Sequence, residues 1–136
     1  DLFKTSNGKY IAPQQVESLL LVDKFIDQVA VIADQRKFVS ALIVPEFRLV
    51  EDWAREHHIA FSSREDLCAN EQVKKMLQER INTLQQQLAY YEQIKRITLL
   101  PHHFSMESGE LTNTLKIRRP IINKNYQAEI DKMYEE

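Results

Sequence analysis

The sequence predicts an α+β fold: a small mixed sheet with a hairpin, packed by helices that include a long helical insertion. Three observations carry this. Two apolar, β-branched runs, Phe25 to Ala33 and Phe38 to Val44, flank the polar turn Asp34-Gln35-Arg36-Lys37. Segments of helical period stand before and after them. Strand-like and helix-like stretches are mixed along the 136 residues, without an internal repeat.

Taken in order, Lys4-Thr5-Ser6-Asn7-Gly8-Lys9 reads as a turn, because Asn-Gly favours the positive φ of tight hairpins. Tyr10-Ile11 resume an extended path, and Pro13 suits the first turn of a helix carrying Val16, Leu19 and Leu20. The two buried strands follow, the second stopped by Pro45. Glu46 to His57 forms a helix with Phe47, Val50, Trp53 and Ala54 on one face. Ser62 and Glu65 match a capping box. Asn70 then caps a long helix running to about Tyr90, with Val73, Leu77, Ile81, Leu84, Leu88 and Tyr91 inward. Ile94 to Leu100 is a third strand, ended by Pro101, and Pro120 opens a final helix with Ile122, Tyr126, Ile130 and Met133 inward.

Bulk properties narrow the function. The net charge of −2 argues against electrostatic nucleic-acid binding. No apolar run reaches membrane-spanning length and no signal-peptide pattern opens the chain. Cys68 stands alone, so no disulfide framework or cysteine metal site is expected, and a reducing, cytoplasmic compartment is the default. The opening Asp1-Leu2-Phe3-Lys4 reads as the start of a piece of a longer polypeptide.

The candidate chemistry gathers around the two glycines. Gly109 opens a polar turn leading to Lys116, which stands between Leu115 and Ile117 and before Arg118 and Arg119. If Leu115 and Ile117 face a core, Lys116 faces outward. On spacing alone it reads as a solvated lysine; a lysine meeting a phosphate or carboxylate is the sharper reading. Gly8, between Asn7 and Lys9, is either a plain hairpin turn or a place where backbone approaches a ligand closely. The pairs His57-His58 and His102-His103 point to different sides and complete no metal pattern. The seam at 73–91 is too short for a coiled coil, although a helical interaction module remains a reading from another class.

Two segments together resemble the adenylate-forming enzymes, the acyl-CoA synthetase superfamily. Lys4-Thr5-Ser6-Asn7-Gly8-Lys9-Tyr10-Ile11-Ala12-Pro13-Gln14-Gln15-Val16-Glu17 is similar to the run after that family's hinge. Gly109-Glu110-Leu111-Thr112-Asn113-Thr114-Leu115-Lys116-Ile117-Arg118-Arg119 is similar to its final motif, in the style of long-chain fatty acyl-CoA synthetases. The hairpin from Phe25 to Val44 and the helical insertion from about 46 to 91 fit as well. The resemblance implies a mobile C-terminal domain that works with its own N-terminal domain on fatty acid, ATP, CoA and Mg2+, most of which that other domain binds. It implies Lys116 as the adenylation lysine and Asn7, Gly8 and Lys9 as the loop facing the CoA channel after rotation. By charge, Lys9, Arg118 and Arg119 are candidate phosphate contacts. Peripheral membrane contact of the whole enzyme, and a different acyl acceptor, stay open.

Overall fold

The computed structural model describes residues 1–136. A hairpin of β1 (Phe3–Lys4) and β2 (Tyr10–Ile11) leads into α1 (Pro13–Leu20). Then come β3 (Ile26–Ile32) and β4 (Val39–Pro45), followed by α2 (Phe47–Glu56), α3 (Arg64–Ala69) and α4 (Glu71–Leu84). A 3-10 turn at Tyr90–Glu92 precedes β5 (Ile94–Leu99), and α5 (Arg119–Asn125) and α6 (Gln127–Met133) close the chain.

The main sheet has the order β3-β4-β5 and is mixed: β3 pairs antiparallel with β4, and β4 pairs parallel with β5. Every residue of β4 is buried, as a central strand covered on both faces requires. Helix α1 packs on β3, while α4 and α6 pack on β5. The core is one cluster of 32 apolar residues drawn from both ends of the chain. The expected strands and their hairpin are all present; Pro45 ends β4 from within, paired with Ile26 at the sheet edge.

Four local expectations are corrected. The cap of α3 lies one residue later than the Ser62–Glu65 pattern: the Ser63 hydroxyl accepts the Asp66 N–H, and Asp66 reaches back to the N–H and hydroxyl of Ser62. Those bonds hold the Asp66 carboxyl below the usual range. Helix α4 stops at Leu84 rather than near Tyr90. Gln85 turns inward instead, accepting the Ile94 N–H at 2.7 Å and donating to the Ile94 carbonyl at 2.9 Å. This side chain takes both backbone bonds of Ile94 where β5 begins. The final helix breaks at Tyr126, whose φ of −116° and ψ of 25° leave the helical region. Leu115 does not face the core: it is 66% exposed, at φ 63°.

Candidate functional sites on two loops

The Lys116 loop is a small, closed ribbon. Gly109, at φ 79°, completes the turn that starts it. Leu111 and Ile117 face each other in an antiparallel bridge. Thr112 donates its N–H to the Lys116 carbonyl at 2.8 Å, and its hydroxyl accepts the Lys116 N–H at 3.1 Å. Leu115 donates to the Thr112 carbonyl and sits at φ 63°, in the left-handed region that non-glycine residues avoid. The backbone of Lys116 is thereby fixed while its side chain stands exposed. No ion pair of the chain involves Lys116.

The root of this ribbon is buried. Arg118 donates its N–H to the Glu110 carbonyl at 2.8 Å. Glu110, 3% exposed, accepts from Ser108 and from Asn125 of α5. Arg118 is exposed, but Arg119 is not a free cation. Its two terminal nitrogens bond the two carboxylate oxygens of Glu17, at 2.7 Å each, with side chains only 18% and 8% exposed. Glu17 also accepts the Val31 N–H at 2.8 Å. The sequence pairs Arg119 with Arg118 as a phosphate contact; the structure separates them, giving Arg119 to the interior and Arg118 to solvent.

The Gly8 loop is held by other contacts. Gly8 sits at φ 80°, with nothing within 4 Å of where a Cβ would stand. Lys4 accepts the Gln35 N–H at 2.8 Å, and Ser6 donates to the Arg36 carbonyl at 2.9 Å, so the hairpin rests on the β3–β4 turn. Beside it lies a cleft of about 400 Å³, lined by Asn7, Lys9, Lys37, Phe38, Tyr90, Tyr91, Lys95 and Arg96. Lys9 lies 5.2 Å from the Tyr91 ring centre, and Lys95 lies 3.8 Å from that of Tyr90. Arg96 is occupied by the Met133 and Glu135 carbonyls and Lys37 by the Glu136 carboxylate. Lys95 donates to the Tyr90 carbonyl at 3.1 Å, and neither Lys9 nor Lys95 is in an ion pair, so these two ammonium groups meet an anion without a competing carboxylate. Neither Lys116 nor Arg118 lines this cleft.

Lys37, Tyr90, Tyr91 and Lys95 were not legible as site residues. They come from the β3–β4 turn, from the stretch after α4 and from β5, and the fold brings them beside Lys9. Glu17 had a readable signal. It lies between Val16 and Leu20 on the inward side of α1, where a carboxylate needs a buried partner. No three His, Cys, Asp or Glu side chains converge to hold a metal. No helix is long and apolar enough to cross a membrane.

Comparison with known proteins agrees with this architecture. The family described as "AMP-binding enzyme C-terminal domain" matches residues 1–136. The human long-chain-fatty-acid–CoA ligase 1 is 35% identical over 136 residues, covering 98% of this chain and 19% of the ligase. The Arabidopsis thaliana long chain acyl-CoA synthetase 2 is 30% identical, covering 100% of this chain and 21% of that protein. The chain thus spans about a fifth of the length of these relatives. Among solved structures, the adenylation domain of a Mycobacterium chelonae carboxylate reductase superposes with a TM-score of 0.79 over 98% of this chain and 19% of its own, at 20% identity. With two loop motifs near opposite ends of the sequence and a family match over its whole length, the chain belongs to the C-terminal domains of AMP-binding, adenylate-forming enzymes.

Proposed function

We propose that this chain is the mobile C-terminal domain of a long-chain fatty acid–CoA ligase, acting with an N-terminal domain that binds ATP and fatty acid. The observation that carries this reading is the separation of its two loops. A fixed but exposed lysine stands on one, and a basic, aromatic cleft adjoins the other. A domain that turns between two steps needs one face for each.

In the first step, a carboxylate oxygen of the fatty acid attacks the α-phosphate of ATP; the acyl-adenylate forms and pyrophosphate leaves. Lys116 supplies positive charge where negative charge grows on the phosphoryl oxygens. In the second step, CoA sulfur attacks the acyl carbonyl and AMP leaves. The Asn7-Gly8-Lys9 loop then faces the reaction, with Gly8 leaving room beside it for the pantetheine arm. Lys9 and Lys95 suit the phosphates of CoA, and Tyr90, 78% exposed, offers a ring for stacking its adenine. This cleft favours CoA over an acceptor lacking phosphates. The chain offers no donor set for the Mg2+ that accompanies ATP.

A helical interaction module fares worse. Val73, Leu77 and Ile81 of α4 are fully buried in the chain's own core, so the apolar seam is already used.

The test is to assay the half-reactions separately in the full-length enzyme. Lys116→Ala should abolish fatty-acid-dependent pyrophosphate exchange and spare CoA transfer from supplied acyl-adenylate. Equal loss of both would reject the assignment.

A further inference from the structure

We propose that Glu17 is a positioning residue for Lys116, acting through Arg119. The inference rests on the adenylation role given to Lys116 above. Lys116 has no ion pair of its own, so the direction of its side chain is inherited from the ribbon that carries it. Several polar contacts tie that ribbon at its root, those of Glu110 with Ser108 and with Asn125 of α5 among them, and two involve the arginines. One joins Arg118 to Glu110, within the same segment. The other joins Arg119 to Glu17 and so crosses to α1, and through Glu17 to the Val31 N–H on β3. The forked geometry fixes both distance and rotation, which a single bond does not. Glu17 is 6% exposed and has both oxygens engaged within the protein, so it is not presented to a substrate.

The effect falls mainly on the lysine loop. The Gly8 hairpin hangs on Gln35 and Arg36 through its own backbone bonds. Arg119 also lies 5.3 Å from the Phe3 ring of that hairpin, but the hairpin keeps its backbone bonds to the β3–β4 turn, so loosening Arg119 acts first on the lysine loop.

The experiment uses the full-length enzyme with Glu17→Gln, Arg119→Lys, and the double variant E17Q/R119Q beside R119Q. Pyrophosphate exchange and CoA transfer from supplied acyl-adenylate are measured, with thermal unfolding as the folding control. Misplacing the lysine by about 1 Å should lower exchange on the order of 10²-fold while transfer stays within about threefold. The double variant should lose no more than the worse single one, because both remove the same tie. Arg119→Lys keeps the buried charge but not the fork, so it decides the matter if Glu17→Gln does not fold. Equal losses in both half-reactions, or additive losses in the double variant, overturn the positioning role. Exchange in the unaltered enzyme that persists undiminished in Glu17→Gln overturns that role alone. An unaltered enzyme without exchange overturns the ligase reading together with it.

Discussion

The carboxylate of Glu17 grips the guanidinium of Arg119 through two bonds of 2.7 Å, across 102 residues of sequence. The pair joins the helix after the first loop to the root of the second, and Arg119 lies 5.3 Å from the Phe3 ring of the first hairpin. The fold's two ends thus meet at one buried ion pair.

Breaking that pair from one side strands a buried charge and the Val31 N–H. Glu17→Ala should cost about 3–5 kcal/mol. The contrast is Lys37–Glu136, whose side chains are 73% and 89% exposed. Lys37→Ala should change stability by less than about 1 kcal/mol. Urea unfolding of both variants checks this, and equal costs would contradict the difference in burial.

Gln85 should matter more than its polar surface character suggests. Gln85→Met keeps the volume but leaves the Ile94 N–H without its partner, at a cost of about 1–3 kcal/mol. Amide exchange at Ile94 is the direct readout. Unchanged protection there would mean that another group accepts the bond.

Gly8 combines a backbone demand with open space. Nothing within 4 Å opposes a Cβ, yet φ is 80°. Gly8→Ala should therefore cost about 1–2 kcal/mol from conformation alone, and Gly8→Asn less. On the proposed function, a bulky residue such as Leu at this position should slow CoA transfer more than pyrophosphate exchange. Half-reaction rates measured side by side decide it, and the reverse order would remove the loop from the second step.

For Lys116→Ala, the loss in adenylation should be on the order of 10²–10³, as for other residues that stabilise transition-state charge. Because the side chain is exposed and unpaired, unfolding should shift by less than about 0.5 kcal/mol. A large loss of stability would mean that the ribbon depends on the lysine.

Alkaline pH should weaken the fold. Burial, with Glu65 nearby, pushes the Cys68 thiol up to about 12, and burial with the Glu110 carboxylate pushes the Tyr126 phenol up to about 12. Unfolded, the two groups ionise near their ordinary values of 9.0 and 10.0. Their contribution is fully present below about pH 9 and is lost as pH rises toward 12, because only the unfolded chain releases the protons. Urea midpoints at pH 8 and pH 11 should therefore diverge, and Cys68→Ala or Tyr126→Phe should narrow the gap. The same burial keeps Cys68 as a thiol at pH 8, so alkylation by iodoacetamide should be slow until the protein unfolds.

Much of this molecule is legible in its sequence. Apolar runs around a polar turn determine β3 and β4, because a strand buried on both faces needs apolar side chains on both. Asn70 marks the start of α4 because its side chain accepts the N–H groups of Gln72 and Val73. The Gly8 and Gly109 turns are local as well, since the positive φ that each requires is a property of the residue itself. Tertiary structure decided the rest. Helical periodicity continues past Leu84, yet the helix ends because Gln85 gains two bonds to Ile94 that exist only once β5 is in place. Leu115 looks like a core residue by alternation, but the ribbon closing on Thr112 turns it outward. Arg118 and Arg119 are neighbours of equal charge in sequence. Only the arrival of Glu17 from the far end of the chain sends one inward to hold the loop and leaves the other in solvent.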